Sequence, residues 1–103
     1  MPEIPVIKDI HQKVLEAVTA TPDALDMRDW HTCETTHCRA GWVVHLAGKA
    51  GYDLEKFYYG NTAFAAQQIY HKSGYDISPV RFYESNEKAL ADIKRCAGVV
   101  QAG

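Results

Sequence analysis

Hydrophobic residues recur along most of the chain at the spacing of three and four residues that marks one face of a helix. Over residues 5–19, Ile7, Ile10, Val14 and Val18 form such a stripe, and the charged and amide side chains between them fall on the other face. This pattern predicts an amphipathic helix over 5–19. Alternating hydrophobic and polar residues never continue for long enough to argue for a sheet.

The most hydrophobic helical pattern lies in the middle of the chain. Thr35 or Thr36 can cap a helix that continues through Ala50, and Gly51 then suits the left-handed position beyond a helix end. Few polar side chains interrupt this segment. A helix that is hydrophobic on nearly all sides is buried, so we predict that this is the buried central helix of the domain.

Two glycines, Gly41 and Gly48, lie inside the predicted central helix on the same side. A glycine in a helix interior costs about 1 kcal/mol relative to alanine. Close approach of another backbone segment would account for this cost, so we expect such a contact along the glycine side of the helix.

The second half of the chain predicts shorter helices. Asn61 or Thr62 can cap one of them and Ser85 another. The predicted segments are a short helix at 53–59, a helix ending near residue 72, a single 3₁₀ turn at 79–83 and a final helix at 86–98. The fold class is therefore all-α, with residues 1–103 forming one small globular multi-helix domain around the central helix.

Composition and charge are those of an ordinary globular domain. Hydrophobic residues make up 47% and charged residues 23%, and the formal net charge is −2. The chain has no block of Lys and Arg, so we expect no nucleic-acid binding through phosphates. Its hydrophobic runs are too short to span a bilayer, it begins without a secretory signal, and its odd number of cysteines is not a disulfide framework. We expect a cytoplasmic protein with reduced thiols and no membrane partner.

Eight aromatic residues crowd the second half of the chain and could line a ligand groove. We predict instead that they belong to the core, because aromatic side chains carry a large hydrophobic area and their hydroxyls can reach a partner or water. They are Phe57, Tyr58, Tyr59, Phe64, Tyr70, Tyr75, Phe82 and Tyr83.

The segment 30–42 concentrates two tryptophans, two histidines and two cysteines, and a zinc site is one interpretation of it. His31, Cys33, His37 and Cys38 supply four nitrogen or sulfur candidates for a tetrahedral site. The four residues between the cysteines are at the wide end of zinc-site spacing, and adjacent residues such as His37 and Cys38 point apart on a helix. We therefore predict no cofactor, with zinc as the weaker alternative.

A reactive cysteine is the second interpretation. Cys38 would lie in the first turn of the central helix, where the helix dipole lowers a thiol pKa. His31 or His37 could act as its base and Cys33 as a resolving thiol, but the motif is not of the thioredoxin type. We expect Cys33 and Cys38 to be alkylated slowly in the native protein, and all three thiols to become accessible only on unfolding.

The third interpretation is a binding surface, on which Trp30, His31, Glu34 and Arg39 are exposed together at a loop and helix start. Tryptophan and arginine are enriched at the energetic centres of interfaces. The structural alternative is that Trp30 and Trp42 pack into the core and bracket the turn. In that case the threonines cap the helix, the cysteines fill space and the histidines bind backbone carbonyls.

The same segment resembles an uncharacterised family of bacteriophage and bacterial proteins. The matching string is Trp30-His31-Thr32-Cys33-Glu34-Thr35-Thr36-His37-Cys38-Arg39-Ala40-Gly41-Trp42, and the likeness extends from residue 25 to 48 and through 65–70, 78–83 and 91–94. In that family the domain is found at the C-terminal end of longer phage proteins that contain repeats. The resemblance implies a phage or prophage origin and implies no activity.

From these observations we predict a non-enzymatic protein-interaction module of phage or prophage type. Its partner is expected to be a protein, with a host protein as one candidate, and the binding surface is the one described around Trp30. The alternative is a metal-binding or thiol-based enzyme domain that uses Cys33, Cys38 and the nearby histidines.

Overall fold

The computed structural model describes residues 2–98, and within them a chain of helices is interrupted by one small β-hairpin. The elements are α1 Ile10–Thr19, β1 His31–Cys33, β2 Thr36–His37, α2 Arg39–Leu46, α3 Gly48–Phe57, α4 Thr62–Lys72, a 3₁₀ helix Pro79–Tyr83 and α5 Asn86–Cys96. With 57% of the described residues helical, the prediction of a predominantly helical small domain is confirmed. No helix among residues 2–98 is both long and apolar enough to cross a membrane.

Helix α2 is the centre of the fold, as its hydrophobic pattern predicts. It packs against α1, α3 and α4, and every residue from 39 to 44 is buried. The side chains that surround it come from each of the other helices: Ile10, Val14 and Val18 of α1, Leu54 of α3, Ala65, Ala66, Ile69 and Tyr70 of α4, Phe82 of the 3₁₀ helix and Ile93 of α5.

The predicted central helix is wrong in its bounds, because the structure divides the segment into a hairpin and two helices. Thr36 belongs to β2, and the cap of α2 is Cys38, whose Sγ accepts a hydrogen bond from the Gly41 amide at 3.2 Å. Helix α2 ends at Leu46. Gly48 then adopts a left-handed φ of 66°, which breaks the helix before α3 continues.

The glycines of this region have three different roles. A Cβ at Gly41 would collide with the carbonyl oxygen of Trp30, so the close approach predicted there is confirmed. Gly48 is needed for its positive φ instead. Gly51, predicted to lie beyond the helix end, is buried inside α3, where a Cβ would collide with the carbonyl oxygen of Val44.

Helix α1 begins later than its hydrophobic stripe predicts. Asp9 has a left-handed φ of 56°, so the helix starts at Ile10 rather than at residue 5. The preceding segment is held instead by tertiary contact, because the backbone amide of Ile7 donates to Ser73 Oγ at 3.0 Å and the Ile7 side chain is buried. Ile7 therefore stands at helical spacing from Ile10 in the sequence although it lies before the helix.

The caps predicted in the second half of the chain are confirmed. Asn61 caps α4 by accepting a hydrogen bond from the Phe64 amide at 3.0 Å. Ser85 caps α5 by accepting one from the Lys88 amide at 3.3 Å. The predicted 3₁₀ turn is the helix Pro79–Tyr83.

Candidate functional site

The β-hairpin, strands β1 and β2, brings the histidines of the unusual segment together. The two strands are antiparallel, and His31 lies opposite His37. Backbone hydrogen bonds anchor the hairpin on both sides: His37 donates to Ala24 O at 3.1 Å, and Cys38 donates to Trp30 O at 3.3 Å. These bonds hold the hairpin at the start of α2.

The two facing histidines belong to a network that reaches α3 and α4. Nδ1 of His31 lies 2.7 Å from Nδ1 of His37, and Nε2 of His31 lies 2.8 Å from Glu55 Oε2. At the other end, His37 Nε2 donates to the carbonyl oxygen of Glu34 at 3.0 Å. The Thr62 hydroxyl donates to the same Glu55 oxygen at 2.7 Å. Below, these four side chains and the Glu34 carbonyl are called the histidine network.

Aromatic rings enclose the inner part of the histidine network. The His37 ring stacks on His45 at a centroid distance of 4.6 Å and meets the edge of Trp42 at 4.7 Å. His45 Nδ1 is in turn 2.8 Å from the Tyr52 hydroxyl. His37 is buried, and this burial lowers its pKa, whereas a quarter of the His31 side chain is exposed. The network therefore runs from the interior to the surface.

The two cysteines of the segment lie in opposite environments. Cys38 is buried, and burial raises the pKa of its thiol to about 11, which outweighs the hydrogen bonds that it accepts at the helix start. A reactive thiolate at Cys38 is therefore not supported. Cys33 is exposed on the hairpin, where hydrogen bonds from the Thr35 and Thr36 hydroxyls lower its pKa. The expectation that Cys33 is shielded is wrong.

The four zinc candidates do not converge. His31 and His37 meet, but Cys33 Sγ lies 3.5 Å from the Thr35 hydroxyl and Cys38 Sγ accepts from the backbone of α2. Within residues 2–98 no group of three or more His, Cys, Asp or Glu side chains could hold a metal ion. None of the four is therefore assigned as a metal ligand.

The prediction that Arg39 is exposed is wrong. Arg39 is a core residue with an exposed fraction of 0%. Its guanidinium donates to Asp92 Oδ2 at 2.5 Å and to the Tyr70 hydroxyl at 3.2 Å, and Arg95 donates to Asp92 Oδ1 at 2.6 Å. Burial acts to raise the pKa of Asp92, but the hydrogen bonds from Arg39 and Arg95 prevail and lower it to about 2. Arg39 therefore ties α2 to α4 and α5.

The other three members of the predicted surface lie on or beside the hairpin in different environments. Glu34 is exposed in the hairpin turn, and His31 belongs to the histidine network. Trp30 is half-buried and meets the edge of the Tyr83 ring at a centroid distance of 5.6 Å. Of these three residues, Trp30 alone borders a larger exposed aromatic area, which includes Tyr83.

That area is built from aromatic residues predicted to be core. Tyr70 and Phe82 are buried as predicted, but Tyr83 is 68% exposed and Phe64 41% exposed. The prediction is also wrong for Phe57, Tyr59 and Tyr75, which are exposed.

Two shallow hollows flank Tyr83. One, of about 250 Å³, is lined by Met27, Arg28, Asp29, Trp30, Phe82 and Tyr83. The other, of about 230 Å³, is lined by Asn61, Ala63, Phe64, Gln67, Pro79 and Tyr83. We call Trp30, Phe64 and Tyr83 together the aromatic surface.

Sequence reasoning identified His31 and Trp30 as candidates but missed the residues that they meet. Glu55 is 24 residues from His31, and no local pattern joins two such positions. Exposure did leave a signal in the sequence, but only for aromatic residues outside the aromatic surface. Phe57, Tyr58 and Tyr59 are consecutive, and successive helical residues point about 100° apart, so they cannot all face one core.

Comparison of the chain with protein-family models, curated proteins and solved structures finds no match. The fold and site define a small helical domain with a histidine-bearing hairpin and an exposed aromatic surface.

Proposed function

We propose that this domain is a non-enzymatic protein-interaction module whose aromatic surface binds an apolar peptide segment of a partner protein. The observation that carries the proposal is the position of Tyr83. Its ring is 68% exposed and stands between two hollows, with Trp30 beside one and Phe64 beside the other. Exposed aromatic clusters of this kind are typical of protein-binding surfaces.

The size of the hollows favours peptide side chains over a small-molecule ligand. Ligand pockets usually have volumes of roughly 300–1,000 Å³ and enclose most of the ligand. The hollows beside Tyr83 have volumes of about 250 and 230 Å³ and lie open on the surface. Each is large enough for one side chain, and the hollow beside Phe64 is the more apolar of the two, so the pair suits a segment with two anchors.

Polar groups surround the aromatic surface in the manner of an interface rim. Arg28 and Asp29 line one hollow, and Asn61 and Gln67 line the other. A rim of this kind offers hydrogen bonds to a peptide backbone while the aromatic side chains supply the buried area. The expected occupant is therefore an apolar segment without a strong net charge.

The phage or prophage type of this module is a separate part of the proposal. It is supported by the resemblance of residues 25–48, and not by the geometry of the aromatic surface. A host protein is accordingly one candidate for the partner that carries the apolar segment.

Selection of peptides from a random library on the purified domain tests the proposal. We expect the selected peptides to share two large apolar residues and to bind Tyr83→Ala and Phe64→Ala at least tenfold more weakly, as is usual at the centre of an interface. Tyr75→Ala is the matched control, because Tyr75 is 46% exposed and packs on His11 rather than lining either hollow. A library without binders, or binders that Tyr83→Ala leaves unaffected, would contradict the proposal.

A further inference from the structure

We propose that His31 and His37 form a proton-binding site, in which one proton shared between the two imidazoles holds the β-hairpin against α3. The evidence is the hydrogen-bond geometry of the histidine network, which determines how many protons the two rings carry. This site is distinct from the aromatic surface and does not depend on the function proposed for it.

The outer nitrogens of the pair must both carry hydrogen. His31 Nε2 faces the Glu55 carboxylate at 2.8 Å, and His37 Nε2 faces the Glu34 carbonyl at 3.0 Å. A carbonyl oxygen only accepts, and so does an ionised carboxylate, so each nitrogen donates. The Thr62 hydroxyl also donates to the Glu55 oxygen, as expected for a carboxylate.

The inner nitrogens, 2.7 Å apart, share a single hydrogen. If neither Nδ1 atom carried a hydrogen, two lone pairs would face each other. If both did, the two hydrogens would compete for the same space. The pair therefore carries three hydrogens on four nitrogens, which is one more than two neutral rings need. If the hydrogen between His31 Nε2 and Glu55 lies on the carboxylate instead, the total over the two rings and Glu55 is unchanged. The count therefore does not depend on which of these groups carries the charge.

The charged and titratable groups around the pair come from every element packed against it. They are Glu34 in the hairpin turn, His45 from α2, and Tyr52 and Glu55 from α3. In the preceding segment, the backbone amide of Asp26 donates to the His37 carbonyl, and its carboxylate is held by Arg28. Glu55 touches the pair and favours the first proton. A second proton is disfavoured, because burial and the neighbouring His45 lower the pKa of His37.

A folded pair that holds one proton gives stability a maximum in pH. In the unfolded chain each histidine has an ordinary pKa of about 6.5. Below that value the unfolded pair binds two protons and the folded pair one, so stability falls as pH falls. Above it the unfolded pair binds none and the folded pair still binds one, so stability falls as pH rises until the folded pair releases its proton.

The fall in stability on the basic side of this maximum is the part that tests for the shared proton. His11 also contributes on the acid side, because burial lowers its pKa and its charging at low pH favours unfolding. Above pH of about 6.5 the shared proton should change the unfolding equilibrium constant by up to about tenfold per pH unit.

Denaturant unfolding of the whole chain between pH 5 and 8 measures this dependence. The range ends below the pH at which the buried Cys38 thiol, whose pKa is raised to about 11, would add a decline of its own. We expect the loss of stability above neutral pH to disappear in His31→Gln and to persist in His71→Gln, the matched control, since His71 is exposed and pairs with Asp76. In Glu55→Gln, which keeps an oxygen acceptor but removes the charge, the folded pair should release its proton more readily, so the decline should be smaller and end at lower pH. An identical basic limb in the wild type and His31→Gln would overturn the proposal.

Nitrogen-15 NMR of the wild-type histidine rings provides a test that needs no variant. Near pH 6.5 we expect scalar coupling between the two Nδ1 nuclei across the shared hydrogen, and a hydrogen on Nε2 of His37. The coupling should vanish at the pH where the basic limb ends. Two rings that titrate independently without coupling would overturn the proposal, and this result decides alone if His31→Gln does not fold.

Discussion

Cys33 and Cys38 lie in the same short segment but differ in exposure and in the pKa of the thiol. Cys33 sits on the exposed hairpin, and hydroxyl hydrogen bonds from Thr35 and Thr36 lower its pKa. Cys38 caps α2, the position at which a helix dipole favours a thiolate, yet burial raises its pKa to about 11. Desolvation of the charged form therefore prevails over the dipole.

This contrast predicts selective alkylation of the native protein. Iodoacetamide at pH 7.5 should modify Cys33 rapidly and leave Cys38 unmodified until the chain unfolds, because only an exposed thiolate reacts. Peptide mass spectrometry after timed pulses measures both rates in the same sample, and Cys33→Ser is the control that removes the fast phase. Modification of native Cys38 as fast as Cys33 would show that the cap of α2 is not buried.

The division of the predicted central helix into α2 and α3 depends on one backbone angle. Gly48 has a φ of 66°, a conformation that costs other residues energy, and a Cβ there would meet no atom within 4 Å. The break turns α3 so that its buried Gly51 packs on the carbonyl of Val44. It also places Glu55 within reach of His31.

Substitution of Gly48 distinguishes a broken helix from a continuous one by the sign of its effect. Gly48→Ala should destabilise the protein by about 1–2 kcal/mol, because alanine is strained at positive φ. In a continuous helix the same change would instead stabilise by about 1 kcal/mol. Chemical denaturation measures the difference. Gly48→Asn should cost less than Gly48→Ala, since asparagine tolerates the left-handed region.

At the scale of the whole molecule, a buried ion cluster joins helices that are far apart in sequence. Arg39 of α2 binds Asp92 of α5 across 53 residues, and its Nε also donates to the hydroxyl of Tyr70 in α4. Arg95 covers the second oxygen of Asp92 from the surface side. Each charge has an opposite partner, as charges in a core require.

Removal of one partner should therefore be costly. Asp92→Asn should destabilise the protein by about 3–5 kcal/mol, because it leaves Arg39 charged and buried without a counter-ion. Asp53→Asn, in the exposed pair with Lys49, is the control and should cost less than about 1 kcal/mol. Thermal or denaturant unfolding measures both.

The same variant should also change the response to acid. The pKa of Asp92 is lowered to about 2 from an ordinary value of 3.8. A lowered carboxyl pKa contributes stability above its unfolded value and loses it as pH falls through the folded value. The wild type should thus lose stability between pH 4 and 2 more steeply than Asp92→Asn. Parallel acid curves would contradict the assignment.

The features that the sequence by itself determined are local ones. Asn61 and Ser85 cap their helices through hydrogen bonds that span three residues, and Pro79 begins its 3₁₀ helix. The hydrophobic pattern of α2 also identified the central helix, because a segment with so little polar surface has to be buried. Signals of this kind depend on neighbours along the chain, so they can be read without the fold.

Tertiary contacts decided the rest. The hairpin forms because β1 and β2 pair and bind the segment around Ala24, although neither strand has enough residues to show alternation. Arg39 is buried because Asp92 lies beside it, and the His31–His37 pair reaches Glu55 only when Gly48 turns α3. Glu55 lies 24 residues from His31 and Asp92 lies 53 residues from Arg39, and the free energy of burying a charge depends on such a partner rather than on the residue type.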